Sequence, residues 1–142
     1  MKKIVLMTGL FFILGMQSLS ASGYDLKKNM YWLNEELLKV QQGFMRSDPK
    51  MVSTAILTFK KDAQELLGNR KEIHRLLPKG KKKKVNEAME AAKIIALSAQ
   101  VIIDEIENKE KHSALRRREN AQSAYTAIEF ACFHCHNLVR DK

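Results

Sequence analysis

Apolar residues recur at alternating steps of four and three in four separate stretches of the chain. That period fits helices and excludes strands, which need strict alternation. In the first stretch the residues are Leu26, Met30, Leu33, Leu37, Val40 and Phe44. In the second they are Val52, Ile56, Phe59, Ala63, Leu66 and Ile73, with Arg70 filling the register. Val85, Ala88, Ala92, Ile95, Ala99, Ile102 and Ile106 form the third, and Ala121, Tyr125, Ile128, Cys132, Cys135 and Val139 the fourth. Each set makes one narrow stripe down a helix, the kind that faces a partner helix. The expected fold class is all-α, an antiparallel up-down four-helix bundle with short loops.

The breaks between stripes have local causes. Helices are predicted over residues 25–46, 49–77, 83–109 and 112–140. Asp48 is a good N-cap with Pro49 at the first helical position. Gly68-Asn69 is a place for the second helix to kink or end early, and Pro78 forces an end. Gly43 lowers helix propensity near the end of the first helix. Alanine is frequent on the third stripe, which lets a neighbour, either a helix or a flat macrocycle, approach closely.

The only two cysteines in the chain fall in Cys132-Phe133-His134-Cys135-His136. The pattern C-x-x-C-H reads as covalent attachment of one c-type haem. Two thiols at that spacing reach the two vinyl groups on one porphyrin edge. His136, directly after the second thiol, is placed to supply an axial imidazole to the iron. Residues three or four apart share a helix face, so Cys132, Cys135 and His136 are expected to point one way, against the interior. Two other readings of the pair are open. A dithiol redox site expects a strand-helix context, and the chain shows no strand pattern. A zinc site needs four ligands, usually from two such clusters, and there is no second C-x-x-C.

Residues 1–22 read as a cleaved secretory signal peptide. Lys2 and Lys3 precede an apolar run over residues 4–16, and Ser18, Ser20, Ala21 and Ser22 supply small residues for cleavage. The run is short of the roughly 20 residues that span a bilayer. Residues 23–142 are then a single mono-haem domain. The expected location is periplasmic, where c-type haem is normally attached.

With a C-terminal motif, four helical stretches and a basic residue (Arg140) one turn past the axial histidine, the chain resembles the class II c-type cytochromes, the cytochrome c-prime type. The resemblance implies a haem seated between the helices with His136 as proximal ligand. It implies one of two functions. Six-coordinate members carry a methionine from the first helix and look like electron carriers. Five-coordinate members bind nitric oxide or carbon monoxide. The family often has an arginine a few residues before the distal position, whereas here the segment reads Lys27-Lys28-Asn29-Met30-Tyr31-Trp32-Leu33.

Electron transfer without substrate turnover is the expected function, with nitric oxide or carbon monoxide binding as the alternative. A haem-free helical zinc or dithiol module is the second alternative. Met30 has two readings, a distal iron ligand whose thioether raises the potential or a core methionine. Leu33 is the next stripe residue and would guard an open site. Arg140 is read as a contact to a haem propionate or the proximal face, or as a surface arginine. Tyr31 and Trp32 either line the haem pocket or mark a contact between two copies of the chain. His134, His74 and His112 are expected at the surface and Met45 in the core.

The formal net charge is +9. The densest run is Lys79-Gly80-Lys81-Lys82-Lys83-Lys84, and Arg116-Arg117-Arg118 adds to it. Lysines at a helix N-terminus oppose its dipole, so the run is not expected to serve stability. Steering toward an acidic redox partner or an anionic membrane surface accounts for it. A nucleic-acid partner conflicts with the leader.

Overall fold

The computed structural model describes residues 26–139; residues 1–22, where a signal peptide is expected, and Arg140 lie outside them. Within them the protein is all-helical, with no strands. Helix α1 spans Leu26–Met45, α2 Pro49–Leu67, α3 Arg70–Leu76, α4 Val85–Glu107 and α5 Ala114–Val139, and a 3-10 turn covers Lys79–Lys84. None of these helices is long and apolar enough to cross a membrane.

The predicted stripes become the core. Leu33, Leu37, Val40, Ile56, Phe59, Ile102 and Ile128 are buried in one cluster, with Met30, Phe44, Cys132 and Cys135 packed against it. A fully buried Phe59 or Ile102 contributes roughly 1.5–3 kcal/mol over an exposed one. Ile73, Leu77, Val85 and Ala88 make a second, smaller cluster. Helix α5 packs chiefly on α4, α1 on α2, and α2 on α4.

The turn between α1 and α2 shows how tightly the sequence sets these contacts. Asp48 N–H donates to Gly43 O at 2.9 Å and Ser47 N–H to Phe44 O at 3.1 Å. That pair of bonds ends α1 in a Schellman motif, with Ser47 at a positive φ of 54°. Asp48 then caps α2, accepting from Met51 N–H at 2.9 Å. Gly43 is where the two helices meet: a Cβ there would lie 2.6 Å from Val52 Cγ2 and 3.0 Å from its backbone nitrogen.

Three details depart from the sequence reading. The second predicted helix is two, because Asn69 accepts from the N–H groups of Lys71 and Glu72 and starts α3 afresh. Met45 is 83% exposed, since it falls one residue past the stripe that ends at Phe44. The lysine run does serve structure. Lys82 Nζ donates to His74 O and, at 2.8 Å, to Arg75 O, closing the carbonyl end of α3 where a cation suits the dipole. Lys84 Nζ pairs with Glu87 at 2.8 Å.

Two substitutions test this turn. Gly43→Ala is expected to destabilise by about 1–3 kcal/mol through the clash with Val52, although alanine is the better helix former. Ser47→Gly is expected to stabilise by about 0.5–1 kcal/mol by relieving the left-handed residue. Urea unfolding at constant m-value checks both signs.

Candidate functional site

The candidate site lies on the last turns of α5, and its position follows from helical geometry. Cys132 and Cys135 continue the stripe of Ala121, Tyr125 and Ile128, so both are half-buried. They form no disulfide. Cys135 touches both core clusters, at the junction where Leu67 also sits, with Met89 and Val139 beside it. Burial pushes the Cys132 thiol up to about 11, helped by Cys135 and Glu129. Burial also raises Cys135. Both side chains are therefore thiols at neutral pH, unlike the lowered pKa typical of a reactive dithiol.

His136 does not share the cysteines' burial; it is exposed. At about 100° per residue, His136 stands about 40° around the helix from Cys132 and about 100° from Cys135, at the edge of the stripe; the expected burial against the interior holds for the thiols and not for His136. Phe133 is 71% exposed and Phe130 69%, and the His134 ring stacks on Phe130 with centroids 6.1 Å apart. Met30 is half-buried near the start of α1, on the same core cluster as the cysteines. Leu33 is buried. Tyr31 and Trp32 are half-exposed and pack edge to face at 5.6 Å.

The 3-10 turn packs on both α4 and α5. Its neighbours Leu77 and Val85 belong to the cluster that Cys135 and Val139 join. The lysine run thus flanks the end of α5 that carries the motif. Among the described residues no group of three or more His, Cys, Asp or Glu side chains is placed to hold a metal ion. The donors for haem are nonetheless suitable: two unpaired thiols one turn apart on an unbroken helix, in apolar surroundings, with a free imidazole next to the second.

Two clusters were not evident from the sequence. Glu105 is buried on α4; it accepts from Asn120 at 2.8 Å and lies 3.1 Å from His112 Nδ1. These bonds, Asn120 first, hold its carboxyl below the usual range. His112 is therefore half-buried and paired, not solvent-facing as expected. Glu36 of α1 lies against Asp62 of α2, beside a cavity of about 250 Å³ that Trp32 and Leu33 also line. One Glu36 carboxylate oxygen, Oε2, is buried without a partner. Burial first, then the Asp62 charge, raises its pKa to about 7. The signal for both clusters is a polar residue next to a stripe, which a reading of apolar period passes over.

Comparison with family models, with characterised proteins and with solved structures gives no match.

Glu36 makes stability depend on pH in a defined direction. Its folded pKa exceeds the ordinary 4.5, so the folded state holds a proton that the unfolded chain releases first. That contribution is complete below about 4.5 and is lost as pH rises through about 7. Glu36→Gln is expected to raise the melting temperature at about pH 8 and flatten its fall from about pH 5. Thermal melts across that range check it.

Proposed function

We propose that this chain is an exported, mono-haem c-type cytochrome that carries electrons and turns over no substrate. The observation that carries the reading is the pair of unpaired thiols, Cys132 and Cys135, set one turn apart against the core with His136 next in sequence. Cys132 and Cys135 would hold the haem through thioethers, and His136 would supply an imidazole to its iron. When bound, the haem supplies one-electron chemistry between ferric and ferrous iron. The protein's part is to fix the cofactor's edge on a rigid helix and keep water from it with Leu67, Met89 and Val139. The raised thiol pKa values speak against the dithiol alternative.

The fold that goes with this reading is the antiparallel up-down four-helix bundle, α1, α2, α4 and α5. Cross-helix contacts support it: Lys60 of α2 reaches Gln100 of α4, while Phe44, late in α1, meets Tyr125, in the first half of α5, edge to face at 6.0 Å. Antiparallel packing would bring the start of α1 toward the motif.

The same register favours a second reading of the iron's far side. Eleven residues back from Phe44 is Leu33, and eleven on from Tyr125 is His136. Equal rise per residue sets Leu33 level with His136, and Met30 one turn beyond, level with Val139. An open site guarded by Leu33 would bind nitric oxide or carbon monoxide. Met30 reaches the iron only if α1 slides or unwinds by about a turn, roughly 5.4 Å.

The test of attachment is acid-acetone extraction of the exported protein. Haem is expected to stay with the chain, and to be lost from the Cys132→Ala, Cys135→Ala double variant. Complete extraction from the wild type would end the proposal. The spin state of ferric iron near neutral pH then separates the two functions. Low-spin iron that turns high-spin in Met30→Leu identifies a methionine-ligated carrier. High-spin iron in the wild type identifies the gas binder.

The lysine run beside the motif fits an acidic redox partner, or an anionic membrane surface as peripheral contact; a homodimer through Tyr31 and Trp32 is a further association. Reduction by an acidic donor protein is expected to slow at least about tenfold as ionic strength rises toward roughly 0.15 M, where screening sets in within about 8 Å. Stopped-flow rates check this, and a salt-independent rate contradicts the steering role.

A further inference from the structure

A cavity of about 380 Å³ opens between the α1–α2 turn and the start of α5. It is of the size that takes small molecules, about 300–1,000 Å³. Its wall is apolar, formed by Phe44, Val52, Ile106 and Ala121, and Lys109, Arg117 and Arg118 stand around it. Ala121 precedes Cys132 by eleven residues on the same helix, about 16 Å at 1.5 Å per residue. The cavity is therefore separate from the haem motif.

Three features favour a negative head group there. The first turn of α5 borders the cavity at Ala114; Arg116 N–H donates to Ser113 Oγ at 3.2 Å and Arg117 N–H to Ser113 O at 2.9 Å, and the N–H groups of Ala114 and Leu115 carry the positive end of the dipole. The Arg117 Nε atom is buried and has no hydrogen-bond partner, while Nη1 of the same guanidinium donates to Glu105 O at 3.5 Å. A buried, unpaired donor is costly, more so when charged, and a turn of the Arg117 side chain toward the cavity would pair it with an anionic acceptor. The two carboxylates on the wall are already committed. Asp48 caps α2 through Met51 N–H, and Glu105 is held by Asn120 and His112. Three cations against two engaged carboxylates leave the site net positive.

We propose that this cavity binds an amphipathic monocarboxylate, its acid head on Arg117 and Arg118 and its apolar body against Phe44, Val52 and Ile106. The apolar wall distinguishes this ligand from inorganic phosphate, and the guanidinium groups of Arg117 and Arg118 distinguish it from a neutral alcohol. Nothing in the proposal depends on haem.

The experiment is a titration of the full chain, followed by calorimetry and amide NMR, with octanoate, octanol and inorganic phosphate. Octanoate is expected to bind and to shift the amides of Val52, Arg117 and Ala121. Octanol and phosphate are expected to bind at least about tenfold more weakly. Arg117→Gln is expected to weaken octanoate by at least about tenfold. Arg118→Gln, at an exposed helical position, gives the same direction of change if Arg117→Gln fails to fold, and circular dichroism reports that. Octanol binding as tightly as octanoate overturns the proposal, as does phosphate binding as tightly. Absence of octanoate binding up to about 10 mM, or shifts confined to the lysine run, overturns it too.

Discussion

The α4–α5 contact is the constraint on which the rest of the molecule depends. Small buried side chains lie on both helices: Ala91 and Ser98 on α4, Ala124 and Ala131 on α5. Small residues allow two helix backbones to approach, and the close approach fixes how α5 is rotated. Rotation in turn decides which residues of α5 face the core. On α5 the small Ala124 and Ala131 are buried beside the stripe of Tyr125, Ile128, Cys132 and Cys135, while Phe130 and Phe133 face solvent. A bulky residue at position 124 or 131 would turn the cysteines with the helix.

The site inherits its properties from that rotation. The thiols are half-buried because they continue a core stripe, and burial is what raises their pKa values. The neighbouring lysine turn is there partly to close α3, through Lys82, and to open α4, through the Lys84–Glu87 pair. Charge that would steer an acidic partner is thereby held in place beside the motif by bonds that also stabilise the fold. One set of lysines serves both ends because the turn packs between α4 and α5.

Much of the core was legible in the sequence because period alone fixes which face is buried. Of the second stripe, Val52, Ile56, Phe59, Ala63, Leu66 and Ile73 are all buried. The break at Gly68-Asn69 was visible as a weak point, but that Asn69 starts a new helix depends on its side-chain bonds. The burial of Ala91, Ser98, Ala124 and Ala131 was not legible, since each lies one position before a residue of the stripes that the period picks out. Glu105 was missed for a related reason. Its partners His112 and Asn120 are seven and fifteen residues away, and only the packing of α4 on α5 brings them together. The motif itself was read from spacing, yet the outward turn of His136 needed the helix rotation to be known.

The proposed electron transfer requires first that the two thiols hold a haem. The alkaline pyridine haemochrome spectrum of the protein tests that most directly, because the position of its α-band reports how many vinyl groups have become thioethers. The account expects the band of a haem with both vinyl groups saturated, at one haem per chain. A band of haem with free vinyl groups, or no haemochrome at all, would contradict it.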